Sequence, residues 1–249
     1  MSAYKTKAIV LRTYKLGEAD RIIVLASKDN GKIRTVAKGI RKTTSRISGR
    51  LEPLSEVSLQ LWKGKGDLQT INQVETINSF RCVKTDLERL NTGLAMAEAI
   101  DQLLQDENPQ EDMYTMFSKA LQWLDNKTHD PSLVLAGFYL KLLTLEGTSP
   151  TATSCSICNL GYNEVDLTYF DYKKGGTICS GCYEGEPISQ NAVTAIRAML
   201  NGGLGKILSI SPHPCSREIE HFATISMETH LDRRLKSMRT GKIYLSTTS

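Results

Sequence analysis

Cys155-Ser156-Ile157-Cys158 and Cys179-Ser180-Gly181-Cys182 stand twenty residues apart, and no other feature restricts so tightly what the chain can fold into. Four thiolates surround a tetrahedral Zn²⁺ at about 2.3 Å only if both pairs reach one point. The intervening chain permits it. Leu167-Thr168-Tyr169-Phe170-Asp171-Tyr172 and Gly176-Thr177-Ile178 can form the two arms of a ribbon, with Lys173-Lys174-Gly175 at its turn. Four cysteine ligands leave no open coordination position, so one structural zinc per chain is expected to fold the module and not to catalyse. The competing readings are four free thiols in a loop, or a thioredoxin-type redox pair, which needs a βαβ setting that this region lacks.

Compartment bears on that choice. The opening MSAYKTKAIVLRT has neither the apolar core nor the small-residue cleavage site of a signal peptide, and a cytosolic protein is the default. The six cysteines are then metal ligands or buried thiols, not disulfides. Cys82 and Cys215 stand alone and read as small buried hydrophobes. His213, in Pro-His-Pro-Cys, offers no second pair and reads as loop.

The first eighty residues read as strands. Residues 3–14 (AYKTKAIVLRTY), 21–27 (RIIVLAS) and 32–38 (KIRTVAK) are rich in β-branched residues, and Asp29-Asn30-Gly31 between the last two carries the Asn-Gly hairpin signal. Residues 53–62 (PLSEVSLQLW) and 68–77 (LQTINQVETI) follow, separated by the turn-like Lys63-Gly64-Lys65-Gly66-Asp67. Five short strands fit a small closed barrel of the OB type. A five-stranded SH3-like barrel stays open on the same count.

Between the third and fourth strands lies a cationic segment, RTVAKGIRKTTSRISGRLEP at 34–53. Between Asn30 and Leu51 the chain carries Lys32, Arg34, Lys38, Arg41, Lys42, Arg46 and Arg50 with no acid among them. One solvated helix face is the bland explanation. Against it, Gly39 and Gly49 bracket the cluster, Thr43, Thr44, Ser45 and Ser48 compete with helical hydrogen bonding, and there is no apolar stripe to bury. The segment reads as mobile and suited to a phosphate backbone, where each neutralised phosphate releases counterions. Its candidate nucleic-acid contacts are Arg34, Lys38, Arg41, Lys42, Arg46 and Arg50. Residues 1–80 hold fifteen Lys or Arg against seven acids, while the remainder carries a net −4. A polyanion partner is implied for the first part and a different partner for the second.

From Thr85 the period becomes helical. Thr85-Asp86-Leu87-Glu88 reads as a capping box, with Leu87, Leu90, Leu94, Ala97, Ile100 and Leu104 on one face. A second helix is predicted over Glu111–Asp125 through Met113, Met116, Phe117, Ala120, Leu121 and Leu124. A third opens with Asp130 as N-cap and Pro131 at the first helical position and stops at Gly147. It is apolar nearly all round, as suits the core helix of a bundle. Residues 189–200 and 217–238 also read as helical, the latter through Ile219, Phe222, Ile225, Leu231 and Leu235; the tail at 239–249 has weak signals.

Enzymatic motifs fail on inspection. Gly202-Gly203-Leu204-Gly205-Lys206-Ile207 has Leu200 where a phosphate loop needs its first glycine and Ile207 where Mg²⁺ needs Ser or Thr, so it reads as a helix cap and turn. His129, His213, His221 and His230 form no metal pair at helical spacing, and no deaminase signature, nucleophile elbow or dinucleotide fingerprint occurs. A non-enzymatic protein is expected.

With these residues in view the chain resembles the bacterial RecO family of recombination mediators and DNA repair proteins. The likeness runs through AIVLRTYKLGEADRIIVLAS, AKGIRKTTSRISGRLEPL, EVSLQLWKGKGDLQTINQVE, LAGFYLKLLTLEGTSP and the two cysteine pairs, in order and spacing. The Gly-basic-basic-x-x-Ser-Arg element before Leu51-Glu52-Pro53 is specific, whereas zinc ribbons occur widely. The resemblance implies an α+β protein: an N-terminal OB-fold at 1–80, then a helical domain at 81–249 that contains a zinc module at 151–187. It implies Lys38, Arg41, Lys42, Arg46 and Arg50 as DNA contacts and Cys155, Cys158, Cys179 and Cys182 as metal ligands. The implied role is to bind single- and double-stranded DNA, anneal complementary strands and, with RecR, assist loading of RecA onto strands coated by single-strand-binding protein. It would act in the bacterial cytoplasm at the nucleoid, with no membrane partner.

Two departures stand out. Family members often carry an aromatic near Ile47 and Leu54, and a Gly where this chain has Asn159. The first weakens the case for base stacking from the loop and leaves Tyr4, Tyr14 and Trp62 as stacking candidates, each equally a barrel core or edge residue. Two rival functions remain: a general single-strand or RNA-binding module of transcription or translation, and a nucleic-acid enzyme with dispersed catalytic residues.

Overall fold

The computed structural model of the protein describes residues 2–42, 47–64, 66–210 and 213–237. Strands β1 (Ser2–Leu16), β2 (Asp20–Ser27), β3 (Gly31–Ala37), β4 (Glu56–Lys63) and β5 (Gln69–Asn78) close into a barrel in the order β1-β2-β3-β5-β4. All pairs are antiparallel except β3 with β5, which meet in parallel at Thr35–Gln69 and Val36–Thr70. This Greek-key closure is that of an OB-fold and decides against the SH3-like reading. The Asn-Gly signal did mark a hairpin, with a three-residue loop after the last pair, Ser27–Gly31. Gly31 holds φ +65 there, and a Cβ on it would come 2.0 Å from the carbonyl oxygen of Asn108.

Ala8, Val10, Ile23, Leu25, Ile33, Val57, Leu59, Leu61 and Val74 fill the barrel. So do Ile40 and Leu51, from the two ends of the cationic segment. Burying each side chain contributes roughly 1.5–3 kcal/mol, which pins both ends; a short 3₁₀ turn at Ser48–Leu51 carries the second. β1 bulges between Val10 and Arg12. The extra residue reverses the alternation of side chains, so that Ala8 and Val10 are core while Arg12 and Tyr14 are exposed.

Three helices pack in the same compact unit, which runs to Asp125 and includes Ser237. They are α1 (Arg81–Thr85), α2 (Leu87–Leu103) and α3 (Glu111–Asp125). The cap of α2 is Asp86, which accepts the Arg89 N–H at 3.0 Å; Thr85 ends α1 and donates to Arg81 O. The capping-box reading was therefore misplaced by one residue. Its predicted stripe holds in the second half, where Ala97, Ile100 and Leu104 are buried, but not in the first: Leu87 is 60% exposed, Leu90 and Leu94 are half-buried, and Arg89, Thr92, Gly93 and Met96 face the core instead. Small residues won because they let the helix approach closely, and a Cβ on Gly93 would lie 2.7 Å from Leu54 Cδ1. Arg89 reaches across to Leu124 O at 2.6 Å, satisfying a terminal carbonyl of α3. α3 itself buries the expected Met113, Phe117, Ala120, Leu121 and Leu124, and in addition Tyr114 and Ser118, whose hydroxyls donate to the buried carboxylate of Glu56 at 2.8 and 3.0 Å.

The second compact unit spans 126–236. Its core helix α4 (Pro131–Leu145) begins as expected, with Asp130 accepting the Ser132 N–H at 2.8 Å, and ends before Gly147 at φ +75. α4 packs on α7 (Ser216–His230). The latter stops well short of residue 238: Asp232 takes φ +49, and the Leu235 N–H turns back to Glu228 Oε1 at 2.8 Å. Between them lie β6 (Leu167–Asp171), β7 (Gly176–Cys179), the two-residue β8 (Glu186–Pro187), α5 (Gln190–Ala198) and α6 (Leu204–Leu208). Gly202, at φ +84, breaks α5 from α6. No helix among the described residues is long and apolar enough to cross a membrane.

Candidate nucleic-acid interface and metal centre

The β6–β7 ribbon delivers Cys179 to the first knuckle as the spacing required. The four sulfurs of Cys155, Cys158, Cys179 and Cys182 lie within 4.8 Å of one another, and Cys158 and Cys179 are 3.7 Å apart. Thiolates at about 2.3 Å from a tetrahedral ion sit about 3.8 Å from each other, so the donor set fits one. The N–H groups of Ile157 and Cys179 donate to Cys155 Sγ at 3.5 and 3.4 Å. Burial pushes the Cys155 thiol up, but the N–H groups of Cys158, Cys179 and Ile157 outweigh it and bring it down to about 6. Cys182 moves the other way, pushed up to about 12, first by its hydrogen bond to Cys179 and then by burial. Four sulfurs this close cannot all carry charge unaided, and a divalent cation reverses that preference. Asn159 takes φ +63 and its N–H bonds Cys155 O at 2.9 Å, so it supplies the left-handed turn of the first knuckle.

The remaining thiols and the histidines do other things. Cys82 is half-buried and Cys215 buried, with His213 Nδ1 accepting the Cys215 N–H at 3.2 Å. Glu186 accepts Tyr172 Oη–H at 2.8 Å and meets His221 Nε2 at 2.9 Å, tying β8 to the β6–β7 turn and to α7. Burial, then this bond, holds the Tyr172 phenol well above its ordinary value.

The cationic segment is less free than its composition suggested. Its first part is bonded to the β1–β2 turn: the Gly39 N–H donates to Asp20 Oδ1 (2.7 Å), the Arg41 N–H to Ala19 O (2.9 Å) and Arg41 Nη1 to Gly17 O (3.1 Å). The mobile reading is thus corrected for residues 38–42; Arg46 lies outside the described residues. Lys38, Arg41 and Lys42 are exposed, and none has an acidic partner among the described residues. The same end of the barrel adds Lys15 and Arg21, which pair across β1 and β2, with Arg21 opposite Ala37. Sequence reasoning missed these two because only the register puts them beside Lys38.

Other cations are claimed. Arg50 Nη1 donates to Val74 O at 2.9 Å. Arg34 meets Asp106 at 3.5 Å, while Lys32 reaches Asp101 O at 2.7 Å and the Asp101 carboxylate at 3.8 Å. Arg12 closes on the same carboxylate at 3.0 Å, Lys63 pairs with Glu107 at 2.7 Å and Lys28 with Glu111 at 3.1 Å. Acids of residues 101–111 therefore neutralise much of one side of the barrel, while Lys38, Arg41 and Lys42, like Lys5 and Lys7 on β1, are exposed without an acidic partner among the described residues.

Of the stacking candidates, Tyr4 packs on the barrel core and its hydroxyl donates to Gln69 Oε1 at 2.6 Å. Ile47 packs on that core and Leu54 is fully buried, so neither stands where an aromatic could meet a base. Tyr14 and Trp62 are each 45% exposed.

An OB barrel with one cationic rim, continued by helices and a four-thiolate site able to hold a metal, defines the class of protein: an OB-fold protein with a helical part and a four-cysteine site. The model of the recombination protein O N terminal matches residues 1–80, and that of its C terminal matches residues 84–239. Proteins named DNA repair protein RecO are similar along almost their whole length. That of Nocardioides sp. is 35% identical over 94% of this chain and 97% of its own. That of Bifidobacterium adolescentis is 32% identical over 96% and 99%, and that of Streptomyces coelicolor 35% over 96% and 98%. The chain belongs to the RecO family of DNA repair proteins.

Proposed function

We propose that the protein is a non-enzymatic recombination mediator that binds single- and double-stranded DNA, anneals complementary strands and, with RecR, assists loading of RecA onto strands coated by single-strand-binding protein in the bacterial cytoplasm. The observation that carries this is the group of exposed, acid-free cations Lys38, Arg41 and Lys42 held at one barrel end beside Lys15 and Arg21; family membership along nearly the whole chain supports it. Annealing needs no bond chemistry. Two strands repel through their phosphates, and cations held along both lower that repulsion and raise the local concentration of strand, fast and with little regard to sequence. Arg46 would join the contact set, while Arg34 and Arg50 contribute less because Asp106 and Val74 O already hold them. Cys155, Cys158, Cys179 and Cys182 would hold one Zn²⁺, whose part is to fold the knuckles.

The test is annealing of complementary single strands across a salt series, with Lys38→Glu/Arg41→Glu/Lys42→Glu against the parent. The variant should lose annealing, and its single-strand binding over the same salt series should shed roughly 2 units of slope, about 0.7 for each lost contact. A folded variant that anneals like the parent would refute the reading.

A further inference from the structure

The register arranges the outer face of β1, β2 and β3 in rows. Arg12, Val24 and Arg34 form one and Tyr14, Ile22 and Val36 the next, while Lys15, Arg21 and Ala37, one position further along, belong to the inward face at the barrel's end, where Ala37 is core. Ile22 and Val36 are only half-buried and Tyr14 is exposed, so the second row is a short apolar strip with an aromatic ring at one end. Only the β-bulge at Val10/Arg12 turns Tyr14 out. The Arg12 guanidinium sits 5.2 Å from the ring centroid and is itself anchored by Asp101, which fixes the ring's stance.

Charge says what can lie on this strip. On its Arg12/Arg34 side the cations are already met by Asp101 and Asp106. Past its other side, at the end of the barrel, Lys38, Arg41 and Lys42, with Lys15 and Arg21 at the rim, outnumber Glu18 and Asp20, and Asp20 is engaged with the Gly39 N–H. A ligand with flat apolar parts on a polyanionic backbone matches both features at once. Trp62 lacks the second: its row neighbours are Ala3 and Thr70, and the adjacent Lys63 is paired with Glu107.

We propose that Tyr14 is a base-stacking residue, and that a single strand lays a base on the Tyr14–Ile22–Val36 strip while its phosphates run to Lys38 and Arg41. This rests on the DNA-binding reading above and extends it from phosphates to bases. It takes the stacking role from the loop, where Ile47 and Leu54 are core residues, and gives it to the sheet.

The experiment compares binding of oligothymidylate and of an abasic strand of equal length, over a salt series, for the parent, Tyr14→Ala, Tyr14→Leu, Tyr14→Phe and Trp62→Ala. The parent should prefer the strand with bases. Tyr14→Ala should weaken oligothymidylate binding by about fivefold or more, the low end of what stacking one base is worth, without changing abasic affinity or salt slope. Tyr14→Phe and Trp62→Ala should bind as the parent does. Tyr14→Leu, which keeps apolar volume, should behave as the alanine variant and guards against loss through misfolding. Unchanged oligothymidylate binding by Tyr14→Ala, an equal loss on both strands, loss carried by Trp62→Ala, or a parent blind to bases would each overturn the proposal while leaving phosphate binding intact. A parent that binds neither strand overturns the DNA-binding reading itself.

Discussion

Replacing Asp101 by Asn probes how the barrel and α2 are held together. The carboxylate is 4% exposed and is shared by Arg12 Nε at 3.0 Å and Lys32 Nζ at 3.8 Å, with Lys32 only 14% exposed. The substitution conserves volume and removes the charge, leaving Lys32 largely desolvated against a neutral amide, with its bond to Asp101 O and the longer 4.0 Å pair to Asp106. Breaking a fully buried pair in this way costs about 3–5 kcal/mol. Arg12 is 45% exposed and can turn to water, so half of the interaction is discounted toward the surface value of about 0–1 kcal/mol. A loss of about 2–3 kcal/mol follows. At roughly 3 °C per kcal/mol for a domain of this size, the melting temperature should fall by about 6–9 °C. Urea unfolding at fixed ionic strength followed by circular dichroism measures it, with an unchanged m-value as the check that one transition is still observed. A loss under about 0.5 kcal/mol would mean that Asp101 behaves as a screened surface group and that packing of α2 alone holds the interface.

Other outcomes follow from the same geometry. Gly31→Ala should destabilise by at least about 2 kcal/mol, because its Cβ meets Asn108 O at 2.0 Å on top of φ +65, whereas Gly39→Ala, with the same φ and nothing nearer than Lys42 Cδ at 3.7 Å, should cost about 1 kcal/mol; equal losses in chemical unfolding would remove the clash from the explanation. Lys84 is lowered from the usual lysine range by burial, against the opposing pull of Glu52, and its Nζ donates to Ser55 Oγ at 2.6 Å. Because the folded state gives up this proton before the unfolded chain does, Lys84 favours folding more as pH rises from its lowered pKa toward 10.5, the ordinary value. The stability difference between parent and Lys84→Met should therefore drift in the parent's favour across that window and stay flat below it; a pH-independent difference counts against the assignment. Cys155→Ser/Cys158→Ser should abolish a one-per-chain content of zinc measured by elemental analysis and expose residues 151–187 to protease; reduced parent protein without zinc would sink the metal assignment and leave the DNA claim standing.

The cysteine module, the five strands and the start of α4 were legible because their signals are local. Two CxxC pairs, β-branched runs with a Gly at a positive φ, and Asp130-Pro131 each state their geometry within a few residues. The capping box failed by one position because Thr85 and Asp86 are both good caps, and only the extra turn of α1 decided between them. The first half of the stripe on α2 failed, while Ala97, Ile100 and Leu104 held, because Leu outranks Gly as a hydrophobe but close approach to Leu54 rewards the smaller residue at Gly93.

By itself, then, the sequence determined the chemistry present: a set of thiols that can meet at one metal, a barrel's worth of strands, and an excess of cations near its third strand. Which of those cations face a ligand was decided only by the tertiary structure. Acids at 101–107, some seventy residues beyond Arg34, fall against one side of the barrel, and a carbonyl of β5 takes Arg50. The exposure of Tyr14 depends likewise on one inserted residue in β1. Charge and aromaticity are properties of single residues, but their availability depends on partners brought close through space, and a linear pattern holds no record of that distance.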